Sequence, residues 1–118
     1  KFPGRIGYHE YEGIALSEGE KHRLVRDLGP HQAMILRNHG LLAIGRTVAE
    51  AFHVIYHLEQ ACRVQVAATA GGRPLVLATS EVAEHTAQQF EAFPQPLGQR
   101  EWPGLMRLLD RLVPTYSD

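Results

Sequence analysis

Only one cysteine, Cys62, occurs among the 118 residues, so no disulfide can form within the chain. A reducing cytoplasm is the default compartment for such a sequence. An excess of one charge is lacking as well. Twelve lysines and arginines stand against 13 acidic residues, for a formal net charge of -1. Without a basic patch to follow a phosphate backbone, nucleic acid is set aside as a partner. No apolar run approaches the ~20 residues that a membrane-spanning helix needs, and the opening KFPGRIGYH has no apolar centre of the signal-peptide kind. Phosphate-loop patterning is absent, and Gly71–Gly72 reads as a helix stop. There is no internal repeat, no low-complexity segment, no H-x-H and no H-E-x-x-H.

What is present suits one domain or part of one. The hydrophobic share is 44%, ordinary for a globular chain of this size. The chain begins at Lys1 without Met, as a processed chain or a piece of a longer one does. Residues 5 to 9 are expected to form a short strand before a turn at Glu12–Gly13. Ser17 and Glu20 form a capping box for a helix to about Leu28, with Leu24, Val25 and Leu28 as its apolar face. Gly29–Pro30 ends it. Gln32–Arg37 and Leu41–Ile44 read as a hairpin, with Asn38-His39-Gly40 at its tip.

Thr47 and Glu50 make a second capping box, and the longest helix follows, to about Thr69. Its expected inward face is Val48, Ala51, Phe52, Ile55, Leu58, Cys62 and Val66. Glu50, His53, His57 and Gln60 fall opposite, and Glu59 sits in the apolar arc without an assigned partner. Pro74–Leu77 is a candidate strand. Ser80 is the expected N-cap of a helix to about Phe90. A last helix spans Trp102 to Val113, with Leu105, Leu108, Leu109 and Leu112 as its stripe. This order implies helices packed on a mainly antiparallel sheet, a layered α/β class.

Seven histidines are the candidate chemistry. His39 at a tight turn can be held rigidly and still reach a cleft, as a zinc ligand does. The plainer reading, favoured on spacing alone, is a turn histidine bonded to nearby backbone. His53 and His57, at i and i+4, share one helix face and could chelate a metal. That face is polar, so a solvated or intersubunit surface is the better reading. Tyr8-His9-Glu10-Tyr11-Glu12 admits an acid/base cluster, although such a run is more often a strand end and turn. Cys62, on the apolar face, reads as inert core.

The segment Arg37–Val66, RNHGLLAIGRTVAEAFHVIYHLEQACRVQV, resembles the class II aldolase/adducin family. So do the upstream turn Tyr8–Gly13 and the tail Trp102–Asp110, the latter resembling the adducin-like branch. The resemblance covers nearly the whole chain. It implies a layered α/β/α fold with a mainly antiparallel sheet, of which residues 1–118 are the C-terminal half of a domain. It implies a divalent zinc held by three histidines. Two come from an H-x-H that this chain lacks, and the third is His39, in a turn supported by Asn38 and Gly40. The metal would act as a Lewis acid on a small sugar or sugar phosphate in a carbon–carbon lyase or epimerase. One ligand of three is too few for tight zinc, so this chain alone is expected to be inactive. Catalytic residues stay unassigned, and Tyr116 is a position to check. The alternative is a non-catalytic adducin-like head that serves as an oligomerisation or binding module. A homo-oligomer is implied for the parent protein.

Overall fold

The computed structural model describes residues 1–13 and 18–116. Ser17 of the expected Ser17–Glu20 capping box therefore lies outside the described residues, while Glu20 is buried in the first helix. In chain order the elements are β1 (Ile6–His9), α1 (Glu18–Leu28), β2 (Ala33–Leu36), β3 (Gly40–Ala43), α2 (Val48–Ala70), α3 (Ser80–Glu91) and α4 (Trp102–Leu112).

The hairpin forms as expected, with β2 and β3 antiparallel and Leu36 opposite Gly40. The sheet is not mainly antiparallel, however. Among the described residues it has three strands in the order β1-β2-β3, and β1 runs parallel to β2, from Ile6 beside Ala33 to His9 beside Leu36. The reason is α1, which carries the chain back across the sheet so that β2 can start where β1 started. Alternation along the strands then separates two faces. Ile6, Ala33, Leu41 and Ala43 meet Val54 and Leu58 of α2 in the core. Gly7 and His9, one position out of phase, meet α1. The strand proposed at 74–77 does not form: residues 72–79 have no regular structure and Val76 is fully exposed.

Helix α2 corrects a second expectation. Its most buried residues are Ala49, Glu50, Val54 and Leu58, a stripe rotated about one residue step, ~100°, from the expected face. Phe52 is 42% exposed and Val48 and Val66 more so. The rotation is made possible by Glu50. Its carboxylate accepts from the Arg46 backbone N–H at 2.6 Å and from the Arg46 guanidinium at 3.0 Å. The buried charge is thus paired and hydrogen-bonded, which is what makes its burial tolerable. Arg46 also lowers the carboxyl pKa. Thr47 caps the helix as expected, accepting from Glu50 N–H at 3.1 Å. Glu50 reaches back to Arg46 rather than to Thr47. Gly45 is required here, because a Cβ would lie 2.5 Å from the Ala51 nitrogen. Glu59 pairs with Arg63, one turn on.

Smaller differences follow the same logic of local bonding. Thr79, not Ser80, caps α3, accepting from Val82 N–H at 3.4 Å. Val25 points to solvent while Leu24 and Leu28 are half-buried. Cys62 is half-buried. In α4, Leu108 and Leu112 stay exposed, and Trp102 sets its edge against the Phe52 ring at 5.7 Å.

Candidate functional site

Because β1 and β2 are parallel, their C-terminal ends lie side by side. The turn at 37–39 and the segment after His9 therefore leave the sheet at the same end. The Arg37 N–H donates to the His9 carbonyl at 2.9 Å and ties the two together. Asn38 takes a left-handed conformation, φ 55°, which its short polar side chain tolerates. The His39 N–H then donates to the Leu36 carbonyl at 3.1 Å. These bonds present the His39 imidazole at an exposed, backbone-fixed tip. Gly40 is the first residue of β3, and its φ is not positive.

Across from that tip lies the tyrosine-histidine-acid run. His9, Glu10, Tyr11, Glu12 and His39 line one small cavity of about 50 Å3. The Tyr11 ring is 6.1 Å from that of His39. His9 is 5% exposed, and its Nδ1 lies 2.8 Å from the Asp27 carboxylate. That contact depends on Gly7, where any Cβ would come within 2.6 Å of the Asp27 carbonyl oxygen. The glycine lets α1 settle on β1. Hydrogen bonds from Arg26 and then His9 hold the Asp27 carboxyl below the usual range. Arg23 does the same for Glu12, donating from Nε at 2.8 Å and again from Nη2. Glu10 pairs with Arg37 at 2.8 Å.

The run from Tyr8 to Glu12 is thus a strand end and turn that also forms a polar cluster beside His39. Asp27 was missed by sequence reasoning, since nothing in the spacing of residues 9 and 27 announces a contact between a strand and the end of a helix. The other histidine pair is brought together without a site forming. The rings of His53 and His57 are 4.4 Å apart, and burial lowers both pKa values. Among the described residues, no three His, Cys, Asp or Glu side chains gather in a way that could hold a metal. A larger cavity, about 300 Å3, lies away from His39. Two of the cations on its wall are already engaged, Arg5 with Glu84 and Glu91, and Arg46 with Glu50.

Residues 1–66 match the family described as Class II Aldolase and Adducin N-terminal domain. The chain belongs to the class II aldolase and adducin family. A Caulobacter vibrioides relative, named "Putative aldolase class 2 protein", is 43% identical over 115 residues. The match covers 97% of this chain and 45% of that protein. Alpha-adducin of Rattus norvegicus is 40% identical over 122 residues, with 92% of this chain and 17% of the adducin covered. An aldolase II superfamily protein from Pseudomonas syringae, solved by crystallography, superposes with a TM-score of 0.86 at 44% identity. It covers 98% of this chain, which spans 47% of that structure. This class II aldolase and adducin chain therefore spans less than half the length of the relatives it matches.

Proposed function

We propose that this chain is the C-terminal half of a class II aldolase-type domain and that His39 is one ligand of its zinc. The parent would be a carbon–carbon lyase or epimerase acting on a small sugar or sugar phosphate. The observation that carries the reading is the exposed His39 imidazole, held at a backbone-bonded turn beside a small cavity that His9, Glu10, Tyr11 and Glu12 also line. An imidazole so placed is the kind of donor that zinc takes, and a catalytic zinc needs about three protein ligands with one position left open. The donor set here supplies one, and the others would come from residues outside this chain. Bound there, the metal would stabilise negative charge on a substrate oxygen. This chain's own residues orient the site: Asn38 and Gly40 shape the turn, and Tyr11 flanks the imidazole. Zinc is thus a cofactor of the parent, and this chain alone, with one ligand of about three, would not hold it tightly. A cytoplasmic homo-oligomer suits the reading.

A second reading has its own support. The apolar side chains exposed along α2 and α4, together with the likeness to alpha-adducin, favour a non-catalytic oligomerisation or binding module. One experiment separates the two: metal content, aldol-cleavage activity and thermal unfolding of the full-length protein beside His39→Ala. The aldolase reading expects zinc in the wild type, a clear loss of zinc and turnover in the variant, and little change in stability. An exposed turn-tip imidazole makes few packing contacts, so its removal should cost no more than about 0.5 kcal/mol. Equal zinc in both proteins would remove His39 from the site. No zinc in either would favour the adducin-like module.

A further inference from the structure

Helix α2 carries two histidines one turn apart, and the reading of the His39 turn uses neither. Residues four apart on a helix are neighbours on its surface. The rings of His53 and His57 stand 4.4 Å apart, tilted by 56°. Two imidazoles bound side by side to one divalent metal, each at ~2.0–2.1 Å, have ring centres roughly 4–5 Å apart. The pair already has that spacing. His57 is exposed and His53 half-buried, so both are reached from solvent. Their helix is capped by Thr47 and packed on the sheet through Val54 and Leu58, which fixes the two backbone positions. The segment leading into α4 supports the pair from one side: a Cβ on Gly98 would lie 2.8 Å from the His53 Cβ. Tyr56 flanks His57 edge to face at 5.4 Å. Desolvation lowers the pKa of both imidazoles, so at neutral pH each is neutral and has a lone pair to give. Of the charged groups facing them, Lys1 opposes a bound cation and Glu101, just before α4, favours one. Glu50, which also faces His53, is paired with Arg46.

We propose that His53 and His57 form a two-imidazole chelate for a divalent transition metal of the Ni2+ or Cu2+ kind, on the surface of α2 and with no residue of the His39 turn in it. Two ligands are too few to enclose a metal but enough to chelate one, with water in the remaining positions. Imidazole nitrogen with water oxygen is a donor set that these ions take. The advantage over a lone histidine is that the first bond presents the second imidazole at high effective concentration. The chelate needs no residue outside this chain and does not rest on the zinc reading.

The test is a Ni2+ titration of the full-length protein, read by calorimetry and by thermal unfolding. Ni2+ is the probe because it leaves the Cys62 thiol unoxidised. The titration is run in the His39→Ala protein, so that a metal at the turn does not mask the pair, and again after adding His57→Gln or His53→Gln. The expected result is saturable binding that raises the melting temperature, as a ligand of the folded state does. Either glutamine should weaken that binding about tenfold or more and abolish the rise. Both together should lose no more than one, because a single imidazole no longer chelates. His57 is exposed, so its variant keeps its fold, and its metal-free melting temperature verifies this. Three results would each overturn the proposal: no saturable Ni2+ binding in His39→Ala, binding undiminished by His57→Gln, or a loss with one glutamine and none with the other. The zinc reading fails separately, by equal zinc content in wild type and His39→Ala, and that result leaves the Ni2+ outcome to decide the chelate.

Discussion

The two halves of α2 make an instructive pair. From Ala49 to Leu58 the helix buries Ala49, Glu50, Val54 and Leu58, with Val54 and Leu58 in the core cluster against the sheet. From Ala61 to Ala70 the same helix continues with Val64 and Val66 in solvent and only Cys62 half-buried. The beyond-midpoint half is no less apolar. It has left the three-stranded sheet behind, and no strand forms at 74–77 to extend the surface. The contrast holds for the chain as a whole: α3 buries only Ala87, and α4 buries nothing fully. Hydrophobic periodicity measures what a helix can bury. Burial itself depends on a neighbour within reach.

Substitutions can break that contrast. Leu58→Ala should have the largest effect, about 2–5 kcal/mol, because Leu58 is 1% exposed in the core and its loss leaves a cavity. Val66→Ala, on the same helix but 69% exposed, should stay within about 0.5 kcal/mol. Urea unfolding of both variants gives the comparison. A large loss from Val66→Ala in the full-length protein would mean that the outer half is covered in the assembled molecule.

The caps sharpen the same comparison at a smaller scale. Thr47 caps α2 where the helix is packed, at 3.1 Å, while Thr79 caps exposed α3 at 3.4 Å. Thr47→Ala should cost about 1–2 kcal/mol and Thr79→Ala about 0.5 or less, the two ends of the range for caps. Paired thermal melts would read the difference, and equal costs would contradict it.

The smallest effect expected is a pH dependence seated in the packed part. Burial lowers the pKa values of His53 and His57. As pH falls below about 6.5, the unfolded chain takes up protons that the folded chain resists, and stability declines. The carboxyls of Glu50 and Asp27 are held low, chiefly by Arg46 and Arg26. Their contribution is full above the ordinary carboxyl range and is lost as pH falls through and below about 4. Melting temperature against pH should show both declines, and His53→Gln should flatten the upper one. An unchanged upper decline would assign it to another histidine.

The elements with strong local signals were legible in the sequence. Thr47 caps the long helix, the Asn38–Gly40 turn closes a hairpin, and α4 opens at Trp102-Pro103. Each depends on contacts within about four residues. The long-helix face was misread because Glu50 counted as solvent-facing. A glutamate is normally exposed, and only the Arg46 partner makes its burial tolerable. Ser80 lost its cap to Thr79 for a similar local reason, the choice between two adjacent hydroxyls being settled by backbone geometry. Phe52, read as core, instead packs at the surface against Trp102, fifty residues on, a pairing that no local spacing encodes.

By itself the sequence determined the family, the helices, the hairpin and the placement of His39 at its tip, because these follow from short-range periodicity, caps and turn chemistry. Only the tertiary structure decided that β1 runs parallel to β2. That choice carries His9 and Glu12 to the end of the sheet where His39 stands, and an antiparallel β1 would have sent them to the other end. It also decided that Asp27 meets His9, through an approach of α1 that Gly7 permits. Strand direction and helix docking are set by contacts between residues far apart in the chain, and hydrophobic alternation along a strand is the same in either direction.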